Sequence, residues 1–299
     1  MKTREDKIFN IVGHIIMIIL TLTAIIPIIL MVISSLTSNS AVLRNGYSFL
    51  PEEWSLYAYK WIFASNGGTV LRAYGISFLI TALGTACSLL MTIGLAYGLS
   101  KKNLPGRKLF TFLVVFTMLF NGGLVPTYIN YTNVFHIKDT IFSLLVPSLL
   151  MNAFNIMLMK SYFVTGVPDE ILEAAYIDGA SEFQTMVKIA VPLSKPIIAT
   201  IGMFAGIAYW NDWNNGYVYL VKRTDLYSIQ NLLNRLMQNI NALTQNASQV
   251  ANASQGLSEV PSITVRMAMA TLGILPIVLI YPFIQKNFVK GITLGGVKG

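Results

Sequence analysis

Six stretches without Asp, Glu, Lys or Arg divide the chain: residues 8–43, 73–100, 109–137, 140–159, 196–211 and 267–285. Each approaches or exceeds the ~20 residues that a helix needs to cross a bilayer. The fifth is the shortest, but it continues past Asp212 into a further uncharged run that ends at Val221. The pattern predicts six transmembrane helices. Lys2, Arg4 and Lys7 precede the first of them, yet its uncharged run far exceeds the roughly 7–15 residue apolar core of a signal peptide, so it reads as a retained helix.

The segments between the spans differ in kind. Residues 37–72 carry Gly46, Pro51, Trp54, Tyr57, Tyr59 and Trp61, a set that suits headgroup-level anchoring better than ligand stacking. Residues 121–139, with Gly122, Gly123 and Pro126, read as a tight outside connection. Residues 163–195 contain no spanning run but do contain helix signals. Pro168 suits the first helical position, and Asp169 and Glu170 follow in the first turn, where the helix dipole favours negative charge. Ile171, Leu172 and Ala175 line one side of this helix, with Glu173 and Asp178 off it. Gly179 breaks the pattern, and Ser181 followed by Gln184 has the form of a capping box that opens a second helix, ended by Pro192 and Pro196. The expected product is a helix-turn-helix under the cytoplasmic face. In residues 222–262, Leu226, Ile229, Leu232, Leu233, Leu236 and Ile240 recur at helical spacing and predict an amphipathic helix, followed by a low-complexity, mobile run over 244–256.

Composition supports a membrane protein. Of 299 residues, 54% are hydrophobic and 11% charged, less than half the charged share of about 25% in a soluble domain. The net charge of +8 raises the question of nucleic acid, which the placement of the charges answers. Eight basic residues fall in the outside segments: Arg44, Lys60, Arg72, Lys138, Lys222, Arg223, Arg235 and Arg266. The other thirteen of twenty-one fall inside, most densely in the KKNLPGRK turn, as the positive-inside rule predicts for cytoplasmic amino and carboxyl termini. Nucleic acid is therefore not an expected partner; membrane lipid is. Cys87 is the single cysteine, so no disulfide forms within the chain.

Catalytic constellations are missing. His14 and His136 are the only histidines and lie far apart, no phosphate-binding Gly-x-x-x-x-Gly-Lys-Ser/Thr loop occurs, and no enzyme activity is expected. Ion-coupled carriers keep ionisable groups within their spans. Here Asp212, in YWNDWNNGY near the outer end of the fifth span, stands alone. Two readings remain for it: part of a polar path in which Asn211, Asp212 and Asn214 meet sugar hydroxyls beside Trp210 and Trp213, or an interfacial structural carboxylate.

Glu173, Ala174 and Ala175, then Gly179, then Ile189 after nine residues and Pro192 after two more, resemble the EAA signature of binding-protein-dependent ABC importer permeases. The flanking PDE and DGAS resemble the carbohydrate-uptake branch that contains the maltose permease subunits, and GITLGGVKG resembles the tail of the smaller, six-helix maltose-type subunit. Val191 stands where Leu is usual, an apolar replacement. The resemblance covers residues 73–299. It implies an all-α, six-span permease of the type I ABC importer fold with a cytoplasmic EAA coupling helix, moving oligosaccharides or related sugars inward. It further implies a second permease subunit, two ATPase subunits that bind ATP and Mg, and an extracellular solute-binding protein, with no cofactor on this chain. Glu173, Ala174, Ala175, Asp178, Gly179, Ile189 and Pro192 are the implied coupling residues. The implied organisation is a first helix and outside loop (1–72), a core transmembrane domain (73–290) and a cytoplasmic tail (291–299). The alternatives are a secondary carrier, which the missing internal ionisable pairs oppose, and a receptor or scaffold without transport.

Overall fold

A computed structural model describes residues 4–249 and 262–296. Regular structure among them is helical, apart from one isolated antiparallel bridge between Thr37 and Trp54. The chain divides into two compact units, Met1–Gly68 with Leu233–Pro276, and Thr69–Leu232 with Ile277–Gly299.

In the first unit, α1 (Arg4–Ser35) is apolar around its whole circumference and its apolar side chains stand exposed, as lipid contact requires. Helix α2 (Asn39–Asn45) is capped by Ser38, whose hydroxyl accepts the Ala41 N–H and donates to Glu53. The loop after α2 returns to α1 through the Thr37–Trp54 bridge, where Ser38 N–H donates to Glu53 O at 3.0 Å and Ser55 N–H to Leu36 O at 2.7 Å. Tyr47, Trp54 and Tyr57 are exposed here, the placement that interfacial anchoring predicts. Helix α3 (Tyr57–Ser100) begins well before residue 73, so the expected outside segment 37–72 ends in helix rather than loop.

In the second unit two expected spans are broken. The third, 109–137, is α4 (Arg107–Leu119) followed by α5 (Leu124–Ile129) and a π-turn (Asn130–Val134), bent by 118°. The corner forms at Gly123, held at φ +85 with its N–H donated to Asn121 Oδ1. The segment expected as a tight connection therefore carries helix. At 13 residues α4 rises only about 20 Å, short of the ~30 Å hydrocarbon layer. The fourth expected span, 140–159, is divided into α6 (Phe142–Leu145) and α7 (Ala153–Gly166). Pro147 has no N–H to continue a helix and Ser148 adopts φ +62. The carbonyls freed by this break are satisfied from elsewhere: Tyr209 Oη donates to Leu145 O at 2.8 Å and Asn215 Nδ2 to Pro147 O at 2.9 Å. Irregular backbone at membrane depth persists under that condition. Among the described residues, then, the first, second and sixth expected spans are continuous apolar helices, the third is a bent pair, the fourth is the divided α6–α7 segment, and the fifth is the helix Lys195–Asn211, entered from Glu182–Leu193 through an 84° bend.

The partner of α3 in this unit is α11 (Lys195–Asn211), and small residues let the two approach. A Cβ at Gly202 would meet Leu89, one at Gly206 would meet Thr85, and one at Gly84 would lie 2.4 Å from the Tyr209 ring. Further in, Ala96, Tyr97 and Leu99 of α3, Ile156, Met159 and Phe163 of α7, and Ile197 and Ile201 of α11 form one buried cluster. Asp139 accepts the N–H groups of Val221, Lys222 and Arg223 and fastens the segment that follows α12 (Asn214–Tyr219). Burial pushes its carboxyl up, but those three N–H groups and the neighbouring Lys138 outweigh it and hold Asp139 below the ordinary carboxylate range.

The expected amphipathic helix is α13 (Ile229–Gln249), with Ile229, Leu232, Leu233 and Ile240 buried and Leu226 in the turn before it. Helix continues through Gln249 into the run expected to be mobile; the remainder of that run lies outside the described residues. Helix α14 (Ser262–Gly296) contains the sixth span and continues to Gly296, so the expected tail begins as helix, and residues 297–299 lie outside the described residues.

Candidate coupling loop and transport path

Between α7 and α11 the chain builds a bent two-armed loop. Val167 is buried and Pro168, with φ −62, sets the entry into α8 (Asp169–Ile177), one residue later than a proline at the first helical position. Asp169 and Glu170 occupy the first turn as expected. Leu172 and Ala175 are buried, Leu172 within the α3–α7–α11 cluster. Ile171, expected on the same side, is exposed. The helix ends in a Schellman arrangement: Ala180 N–H donates to Ala175 O, Gly179 N–H donates to Tyr176 O, and Gly179 takes φ +81, where residues other than glycine are strained. Ser181 then caps α9 (Glu182–Thr185) with both halves of the box in place, Gln184 N–H to Ser181 Oγ and Ser181 N–H to Gln184 Oε1. A π-turn (Met186–Ala190) and α10 (Val191–Leu193) follow, and the chain turns by 84° at Ser194 into α11. Pro192, which cannot donate an N–H, lies two residues beyond the end of the widened turn.

The seven signature positions separate into two groups. Glu173, Ala174, Asp178, Gly179 and Pro192 are exposed, whereas Ala175 is buried and Ile189 packs against the central cluster. The small side chain of Ala175 therefore seats α8 on its own chain. Two exposed apolar residues were not singled out from the sequence: Ile177, 86% exposed, and Phe183, 70% exposed, on either side of the Gly179 turn. Helical phase carries the signal for Ile177, because two positions beyond the buried Ala175 is off the buried stripe.

At the other end of α11, Trp210 is buried against Phe78 and Tyr74, with ring centroids 5.2 and 6.4 Å away. Asn211, Trp213 and Asn214 are exposed and Asp212 is half-buried. Asp212 Oδ1 accepts the Asn215 N–H at 3.3 Å and helps start α12, while Oδ2 is buried without a hydrogen-bond partner. The backbone here is held by Ser228 Oγ donating to Asp212 O and Asn231 Nδ2 donating to Trp213 O. The corner thus presents two amides and one indole around a carboxylate with a structural task. Among the described residues no cluster of His, Cys, Asp and Glu could hold a metal ion.

The family model for "binding-protein-dependent transport system inner membrane component" matches residues 88–294. The chain is 33% identical over 295 residues to the polygalacturonan/rhamnogalacturonan transport system permease protein YtcP of Bacillus subtilis, covering 99% of this chain and 100% of that one. It is 32% identical to protein LplC of the same organism, covering 99% and 97%. Among solved structures it is similar to a chain of a bacterial ABC transporter involved in the import of the acidic polysaccharide alginate, with TM-score 0.78, 30% identity and coverage of 96% and 99%. Matched along nearly its whole length in sequence and in fold, the chain belongs to the binding-protein-dependent transport system inner membrane components: it is a multi-pass permease subunit of an ABC importer, not an enzyme, and works with a partner permease, an ATPase and a solute-binding protein.

Proposed function

We propose that the chain forms half of the translocation path of an ATP-driven oligosaccharide importer, beside a second, different permease subunit, and that its loop 163–195 couples the path to two ATPase subunits. ATP and Mg belong to those ATPases, and the amino and carboxyl termini lie with them in the cytoplasm, in keeping with the inside excess of basic residues. The observation that carries the reading is the two-sidedness of α8. One side, Leu172 and Ala175, is seated against the chain, and the other offers Glu173 and Ala174 beside Asp178 and Gly179. Such a helix is held rigidly and is still free to dock. At the outer end, Asn211, Asp212 and Asn214 border the sugar path, with Trp213 supplying the ring face and Asp212 fixing the corner.

The substrate class that fits best is a carboxylate-bearing oligosaccharide. The names of YtcP and of the alginate transporter both describe acidic polysaccharides, and both relatives are at least 30% identical over nearly the whole chain. The test is uptake by the assembled transporter and its binding protein in proteoliposomes. Labelled oligogalacturonides should accumulate only with ATP inside and should resist competition by neutral oligosaccharides of equal length. Accumulation of neutral oligosaccharides in preference would overturn the acidic assignment, and uptake without ATP would overturn the importer reading.

A further inference from the structure

We infer that Tyr97, Lys101, Tyr176 and Glu182 form a node that locks both arms of the coupling loop to the inner end of α3, so that displacement of the loop moves this span directly. The inference rests on the coupling role proposed above and adds the element that receives the motion. Lys101 Nζ donates to Tyr176 Oη at 2.7 Å, Tyr176 Oη donates to Glu182 Oε2 at 2.9 Å, and Tyr97 Oη donates to the same oxygen at 3.2 Å. The ammonium lies 3.7 Å from Glu182 Oε2, 4.5 Å from the centre of the Tyr97 ring and 5.3 Å from that of Tyr176. One cation is thus shared by a carboxylate, a phenol and two aromatic faces.

The placement gives the node its purpose. Tyr176 is in the last turn of α8 and Glu182 opens α9, so the two flank the Gly179 turn, whereas Tyr97 and Lys101 belong to the end of α3 and the residue after it. Without the node the turn keeps its Schellman and capping bonds, and Leu172 and Ile189 still pack on the α3–α7–α11 cluster while Lys102 pairs with Asp169 at 3.1 Å; the node adds the direct polar tie from both sides of the turn to the end of α3. An isolated exposed ion pair contributes little. Here the Glu182 side chain is 64% exposed but that of Lys101 only 22%, and Lys101, Tyr176 and Tyr97 converge on one oxygen of Glu182. From α3 the motion passes to α11 through the close contacts at Gly202 and Gly206 and reaches the Asn211–Asn214 corner.

The assembled transporter in proteoliposomes tests this, with ATP hydrolysis and sugar uptake read in the same vesicles. Glu182→Gln, Tyr176→Phe and Lys101→Met should each keep the ATPase bound and hydrolysing while uptake per ATP falls about tenfold, the scale of an ordinary coupling free energy. Lys101→Arg, which keeps the cation, should retain most of the ratio, and the exchange Lys101→Glu with Glu182→Lys should restore part of what either change alone removes. Wild-type uptake per ATP in all three single variants would overturn the node. So would loss of the bound ATPase together with hydrolysis, since that marks a role in shaping the loop rather than transmitting its motion. Glu173→Lys, outside the node, separates the two claims. If it abolishes uptake while the node variants transport normally, the node alone fails; if it too transports normally, the coupling role itself fails.

Discussion

A Gly84→Val variant yields little folded permease. A Cβ at this position would stand 2.4, 2.5 and 2.7 Å from three atoms of the Tyr209 ring. That ring has no easy retreat, because it is 1% exposed and its hydroxyl is committed to Leu145 O at the break between α6 and α7. Moving it leaves a buried carbonyl unpaired. Overpacking costs about 1–3 kcal/mol, and an orphaned buried acceptor costs a similar amount, about 1–3 kcal/mol. The combined loss of about 2–6 kcal/mol is a substantial part of a net stability of about 5–15 kcal/mol. The amount of monodisperse protein recovered in mild detergent, with its melting temperature, measures the effect. Gly84→Val paired with Tyr209→Leu should recover the overpacking part of the loss, since the shorter side chain vacates the space, but not the part owed to the unpaired Leu145 carbonyl. Wild-type yield and melting for Gly84→Val would show that α3 and α11 do not approach so closely.

Glu173→Lys should do the reverse, leaving the fold intact and abolishing transport. Glu173 is exposed on α8, and among the described residues no ion pair holds it, so reversal costs the isolated chain no more than about 0.5 kcal/mol, the range of ordinary surface changes. At a docked interface the same reversal sets like charges together and costs several kcal/mol, about 2–5 on the scale of truncated charge pairs, or a loss of at least about thirtyfold in productive coupling. The expected result is normal insertion and melting with uptake below a few per cent of wild type. Glu173→Gln, which removes the charge without reversing it, should retain more uptake. Full uptake with Glu173→Lys would remove this carboxylate from the coupling surface.

The sequence made the loop legible because its signals are local. Proline entry, acidic first turn, glycine exit and capping box each act within four residues, and each is found between Pro168 and Gln184, with the proline one residue earlier in the helix frame than expected, at the cap. The division of the signature into exposed and seated residues was only half legible. Helical phase places Leu172 and Ala175 together, but only the packed chain shows that Ile171 turns outward and that Ile189 joins the α3–α7–α11 cluster. The broken spans were not legible from apolarity alone. Residues 140–159 are apolar enough to cross, yet Pro147 interrupts the helix, and the break persists because Tyr209 and Asn215, more than sixty residues away in sequence, satisfy its carbonyls. The same distance hid the node at Lys101 and Glu182 and the clamp at Asp139. At Asp212 the chain shows what the sequence could not, an Asn215 N–H donated to Oδ1 at the start of the following helix, with Asn211 and Asn214 exposed beside it.

The central claim is that α8 docks on an ATPase, and Ala174 is the place to test it, being exposed, uncharged and next to Glu173. A photoreactive cross-linking side chain installed at Ala174 in cells making the whole transporter should give, on irradiation of intact membranes, an adduct of this chain with the ATPase subunit, and that adduct should disappear when Glu173→Lys is added. Cross-links to lipid or to unrelated proteins alone, with the ATPase present and the permease folded, would contradict the account.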